Sequence, residues 1–115
     1  MRRVIIESPY RANTAARIFT HTEFARWCML DCIKRGEAPF ASHLAYTNLL
    51  DDQNPVERAQ AIAMGLSWAE VADATIVYTD LGITEGMQQG IDAATAANRP
   101  IEYRQLSKHT PHGSL

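Results

Sequence analysis

The chain has 115 residues, enough for one domain with its own core. With 46% apolar and 21% charged residues, its composition is that of an ordinary soluble globular domain. A formal net charge of −2 argues against nucleic acid as a partner, because phosphate backbones need a basic face, and it gives no pull toward an anionic membrane surface.

The chain opens on "RRVII", a β-branched run that reads as a strand, and "ESPYRAN" after it is turn chemistry in which Pro9 biases Ser8 toward extended backbone. The apolar run in "MRRVIIESPY" is too short for a signal peptide, and no apolar run of about 18 residues offers a membrane span. From Asn13 to about Arg35, Ile18, Phe19, Ala25, Trp27, Cys28, Leu30 and Ile33 recur at helical spacing; Asn13 or Thr14 caps the start and Gly36 ends it. Cys28 and Cys32 share one face of that helix. Their spacing is not C-x-x-C and no further cysteine exists to build a zinc site, so they read as buried reduced thiols, and a reducing cytoplasm is the expected location. Trp27 and Trp68 read as core or interface residues.

"APFAS" is a second strand, with Pro39 tolerable at a strand start and less so in a central ladder. Residues 42–54 form a mixed connector with one or two helical turns, closed by "DDQNP". Pro55 suits the first turn of a helix, and Val56, Ala59, Ile62, Ala63, Leu66 and Ala69 mark an apolar stripe running to about Asp73. "ATIVYT" is the third strand. "DLGITEGMQQG" turns from it into a helix whose inward stripe is Met87, Ile91, Ala94 and Ala97, and "RPIEYRQL" is a fourth strand at an edge. The tail "SKHTPHGSL" reads as frayed, and its His109 and His112 as no metal site. Without repeats or linkers, the expectation is one domain over residues 1–106 and a flexible tail over 107–115.

The order β-α-β-α-β-α-β predicts an α/β fold: a three-layer, doubly wound parallel sheet of about four strands, Rossmann- or flavodoxin-like. In such sheets ligands bind beyond the carboxyl ends of the strands. That rule nominates three loops, residues 7–13, 42–52 and 80–86.

In the third of these, Gly82 and Gly86 let the backbone turn and approach a ligand, and Thr84 is an N-cap in front of a positive helix end suited to an anion or a polyhydroxyl group. Asp80 either accepts hydrogen bonds from sugar hydroxyls or caps a backbone, and Met87 is counted with the same turn as a ligand contact. In the first loop Arg11 is a bidentate partner for phosphate or carboxylate, or a solvated side chain; Tyr10 can stack on a base or sugar, Ser8 adjoins them, and Asn13 stands where a helix begins. In the second loop His43 and Tyr46, three apart, share a helix face if the segment is helical, and His43 titrates near neutrality, so it is a structural residue or an acid–base group. Asp51 and Asp52 with Arg58 read as a helix start with a counter-charge. No metal and no cofactor is expected.

Four stretches carry a resemblance: "IIESPYRA", "GEAPFASHLAYTNLLDD", "GLSWAEVADATIVYTDLGIT" continuing through a spaced "GM" and "GI", and "RPIEYR". Over residues 2–106 they resemble the nucleoside 2-deoxyribosyltransferase-like proteins, and more closely a small subfamily found in bacteria and their phages. The resemblance implies that fold, a nucleoside-type ligand and a homo-oligomer, here expected through the first and third helices. Enzymes of the wider family attack the anomeric carbon of a deoxynucleoside with a glutamate on the helix after a strand ending in Asp. Asp80 matches that aspartate, and Gly82 and Thr84 loosely match its Gly-Thr. By count the nucleophile falls at Gln89, a neutral amide, and a first-strand tyrosine falls near Ile5. Glu85 is close, but one helix position turns a side chain by about 100°. Glu7 offers a replacement carboxylate.

Two readings follow. In the first, the domain binds a nucleoside- or nucleotide-derived molecule of ADP-ribose type without catalysis, and in a phage it sequesters a nucleotide-derived immune signal; Arg11, His43, Tyr46, Asp80, Thr84 and Gly86 line the site. In the second, it is a nucleoside N-glycosidase or deoxyribosyltransferase using Glu85 or Glu7.

Overall fold

In a computed structural model the chain is described over residues 1–106, so the expected tail, with His109 and His112, lies outside the described residues. The elements run β1 (Arg3–Glu7), α1 (Ala15–Lys34), β2 (Ala38–Phe40), α2 (Ser42–Ala45), α3 (Pro55–Ala69), β3 (Ala74–Tyr78), α4 (Glu85–Ala96) and β4 (Ile101–Arg104). The four strands form one parallel sheet in the order β2-β1-β3-β4. This is the expected α/β doubly wound fold. Its connections diverge between β1 and β3, which makes the carboxyl ends of those two strands the topological switch point.

Residue period sets the layers. All five residues of β3 are buried, as a β-branched run is when both faces of a parallel strand are covered. Val4, Ile6, Ile76 and Tyr78 point to one face and pack with Phe24, Cys28 and Cys32 of α1. Val77 points to the other and packs with Met87 and Ile91 of α4. Glu7, one residue on from Ile6, therefore faces α4. Pro39 is accommodated because β2 is an edge strand, paired with β1 alone.

Local chemistry ends the helices as expected, with refinements. Thr14, not Asn13, caps α1, accepting the Arg17 N–H at 3.1 Å. Asn54 caps α3 through the Val56 and Glu57 N–H groups, with Pro55 at the first position. Thr84 caps α4, accepting the Met87 N–H at 3.2 Å, and Gly82 supplies the left-handed residue (φ 88°) that turns β3 into that helix.

The α3 stripe departs from expectation. Of Val56, Ala59, Ile62, Ala63, Leu66 and Ala69, only Ala69 is buried. The reason is a tertiary contact: α2 stands beside α3, and Gly65 lies so close to Ser42 that an added Cβ would come within 3.0 Å of the serine Cβ. The helix leans inward on the side of Gly65 and Ala69 and turns Ile62 and Leu66 outward.

A polar network is buried beneath the end of α1. Arg104 donates two hydrogen bonds to Glu37, both 2.8 Å, linking the end of edge strand β4 to the residue that leads into the opposite edge strand β2. The Tyr78 hydroxyl donates to Asp31 Oδ2 at 2.7 Å, and Cys32 Sγ lies 3.3 Å from that hydroxyl. Hydrogen bonding to Arg104 holds the Glu37 carboxyl below its usual range, and burial pushes the Cys28 and Cys32 thiols up, Cys32 to about 11, so both stay protonated. No described helix is long and apolar enough to cross a membrane.

Candidate functional site

The tip of β1 delivers two consecutive polar side chains to opposite faces of the sheet. Glu7 turns toward α4, where its carboxyl fills the space that a side chain at Gly90 would occupy; a Cβ built on Gly90 collides with Glu7 Oε2, Cδ and Oε1. Among the described residues no donor hydrogen-bonds to this half-buried carboxyl and no cation forms an ion pair with it. Burial raises its pKa to about 8, and the more distant charge of Arg99 only partly opposes the rise. At neutral pH Glu7 is mostly a carboxylic acid.

Ser8 turns to the α1 face and is buried, with its Oγ 3.3 Å from His43 Nε2. The Tyr10 ring stands 5.7 Å from that imidazole, and the Tyr10 carbonyl oxygen is 3.0 Å from His21 Nδ1. Burial, and then the neighbouring His21, push the His43 pKa down to about 4, so the ring is neutral at pH 7. Ser8, Tyr10 and His43, from two of the nominated loops, thus meet in one place, and His21 of α1 joins them.

Arg11 is neither free nor aimed at that group. Its Nε pairs with Asp52 at 3.3 Å, and Arg58 approaches the same carboxylate at 4.0 Å. The three border an open cleft of about 290 Å³ with Pro55, Ala59 and Ile62 of α3. Asp52 thus has the expected counter-charge, while Asp51 binds the Gln53 N–H at the turn before the helix.

The third loop is occupied by its own backbone. Asp80 Oδ1 accepts the Leu106 N–H at 3.0 Å, the capping alternative for this residue. Thr84 is spent on the cap, and Gly86 sits inside the first turn of α4 with regular helical backbone. Met87, counted above as a ligand contact, is 1% exposed and packs on Val77 and Ile91 with its sulfur near the Thr84 N–H; it serves the core under α4. Glu85 is exposed at the helix start, and Asn13 is exposed as well. Tyr46 ends α2 and packs edge-on against Phe40 at 6.3 Å.

The α4 position that faces the strand tips is Gly90. Gln89, where the count placed the family's glutamate, is exposed. The sequence carried a signal for this: glycine inside a helix costs about 1 kcal/mol against alanine and marks a close approach when nothing else explains it. His21 and Arg99 gave no signal, because only the folded chain brings them near residues far from them in sequence. Among the described residues no group of three His, Cys, Asp or Glu side chains is placed to hold a metal ion.

Comparison with known proteins fits this architecture. Residues 2–104 match the family described as a domain of unknown function, DUF7768, and the chain belongs to that family. Among solved structures it is similar to the 2-deoxyribosyltransferase of the psychrotolerant bacterium Bacillus psychrosaccharolyticus, with a TM-score of 0.65 and 15% identity over 90% of this chain and 72% of that one. No curated protein matches. At that identity the likeness establishes the fold, a deoxyribosyltransferase-like doubly wound sheet.

Proposed function

We propose that the carboxyl edge of the sheet binds a nucleoside- or nucleotide-derived small molecule with its sugar over the tip of β1. The observation that carries this reading is the Glu7 carboxyl, half-buried at the switch point with no protein partner among the described residues. A carboxyl taken out of water without a hydrogen bond is costly, and the distant charge of Arg99 offsets that cost only in part. A sugar hydroxyl supplies the missing bond. Tyr10 offers an aromatic face for a base or a ribose, and Arg11, one residue on and at the mouth of the cleft beside α3, offers a guanidinium to a phosphate that displaces Asp52. The 2-deoxyribosyltransferase with the same fold supports the nucleoside class. In its finer form the protein is cytoplasmic and, in a phage, holds a nucleotide-derived signal away from its host receptor.

One observation favours a second reading, cleavage of an N-glycosidic bond. The resemblance places the attacking carboxylate on the helix after β3, and here Glu7 of β1 fills the volume at the inward-facing position of that helix, Gly90. Ionised, Glu7 would form a bond to the anomeric carbon while the base leaves with the bonding pair and takes a proton; water then hydrolyses the ester. Because its pKa is raised to about 8, such activity rises with pH through that value.

Incubation with deoxynucleosides, nucleotides and NAD-like dinucleotides, followed by chromatography, separates the readings. Binding with the ligand released intact on heat denaturation supports the first. Free base that disappears in Glu7→Gln supports the second. Neither binding nor turnover with any of these compounds overturns both.

A further inference from the structure

Two arginines close on one carboxylate at the amino-terminal end of α3. Arg11 approaches Asp52 Oδ2 at 3.3 Å through its Nε, and Arg58 approaches Oδ1 at 4.0 Å through its own Nε. Neither guanidinium donates a hydrogen bond to a described residue, so both forks are open to a ligand. The other acids nearby are already used: Asp51 accepts the Gln53 N–H, and Glu57 accepts the Asp51 N–H. Of the described residues lining the cleft, Asp52 alone is acidic. Two cations against one anion leave a positive charge over, and the arginine side chains are 53% and 35% exposed, so the surplus faces the open cleft. The first N–H groups of α3 are taken by Asn54, which leaves recognition here to the arginines.

Charge decides which anion this arrangement favours. A singly charged group that displaces Asp52 leaves the surplus as it was. A phosphomonoester carries about −1.5 to −2 at pH 7 and three strong acceptor oxygens, so it neutralises both guanidiniums and accepts from both forks. The cleft of about 290 Å³ is as small as ligand pockets usually come, so it takes one end of a ligand and not the whole. Arg11 follows Glu7 by four residues, so their Cα atoms are at most about 14 Å apart. The tip of β1 and the cleft are therefore within reach of one nucleotide.

We propose that Arg11 and Arg58 together hold the terminal phosphate dianion of a nucleotide, with Asp52 as the internal anion it displaces. The proposal rests on the sugar-binding reading of the β1 tip and narrows the ligand to a nucleoside phosphomonoester. Arg58 and Asp52 are then specificity residues. Arg58 supplies the second guanidinium, and Asp52 denies any gain to a singly charged ligand.

Calorimetric titration of the full chain tests it, with the common nucleosides and deoxynucleosides, their 5′-monophosphates and the methyl esters of those phosphates. The monophosphate is expected to bind about tenfold or more tightly than its nucleoside, and the singly charged methyl ester no better than the nucleoside. Arg58→Ala brings the ratio of nucleoside to monophosphate Kd close to one. Asp52→Asn tightens both phosphorylated forms and lets the methyl ester outbind the nucleoside. Each ratio is taken within one variant, so a loss of folded protein lowers both affinities and leaves the ratio alone. Nucleoside and monophosphate bound equally by the wild type overturn the proposal while the sugar-binding reading stands. An Arg58→Ala protein that keeps the preference, or an Asp52→Asn protein that binds the monophosphate less tightly, also overturns it. Inorganic phosphate bound as tightly as the monophosphate makes this a site for free phosphate and overturns the nucleotide assignment. No binding of any of these compounds overturns both readings.

Discussion

Glu7 is the residue on which the functional reading turns, and its titration can be read in stability. The folded protein holds the Glu7 proton more tightly than the unfolded chain, with a pKa of about 8 against an ordinary 4.5. Its contribution is therefore fully present below about 4.5 and is lost as pH rises through about 8. Urea unfolding from pH 6.5 to 9 should show wild-type stability falling by about 2 kcal/mol, on the scale of 1.36 kcal/mol for each pKa unit. Glu7→Gln should remove most of the fall and be the more stable protein at pH 8. Equal slopes in the two proteins would mean that the carboxyl is solvated. His43 works in the opposite sense: its pKa is depressed to about 4, so the stability it contributes is lost as pH falls below its ordinary value of 6.5. Between about pH 4.5 and 6.5 the two slopes oppose one another, so the Glu7 fall is read above pH 6.5 and the two groups are separated by mutation.

At the scale of elements, α4 and β1 are coupled through Gly90. Gly90→Ala should destabilise the protein by about 1–3 kcal/mol through overpacking, even though alanine is the better helix former. In a Glu7→Ala background the same change should cost little or add stability. Denaturation of the four proteins of that cycle measures the coupling, and an additive result would separate Gly90 from Glu7. Most element boundaries were legible because each rests on local chemistry: Thr84 and Gly82 for the start of α4, Pro55 for α3, and the unbroken apolar run for β3. The direction of the α3 stripe was not. Periodicity shows that a helix has an apolar side, but which side of α3 turns inward was settled by Ser42 of α2 against Gly65, a contact between segments far apart in sequence. The site was legible in part. Topology nominated the ends of β1 and β2, and the fold brings Ser8, Tyr10 and His43 together there, whereas Asp80 was read as a sugar ligand or a cap and is found holding the Leu106 N–H. A residue type announces what it can bind, and its backbone neighbours decide whether that capacity is already used.

For the whole molecule, the Arg104–Glu37 pair ties the two edge strands together beneath α1, and it is buried on both sides. Glu37→Ala leaves the buried Arg104 guanidinium with only the partly exposed Glu102 carboxylate, 3.2 Å away, as counter-charge, and should cost about 3 kcal/mol, read as a fall in thermal midpoint with the far-ultraviolet spectrum retained below it. A loss under 1 kcal/mol would show that water reaches Arg104. This network lies on the α1 face, whereas the carboxyl of Glu7 faces α4, so the parts that hold the sheet together and the part assigned to the ligand can be varied independently. The most direct test of that assignment is a carbon-13 carboxyl titration of Glu7, with and without a saturating deoxynucleoside or nucleotide. The account predicts a midpoint near 8 in the free protein and a displaced midpoint when the sugar is bound. A midpoint in the ordinary carboxylate range, unmoved by any of these compounds, would contradict it.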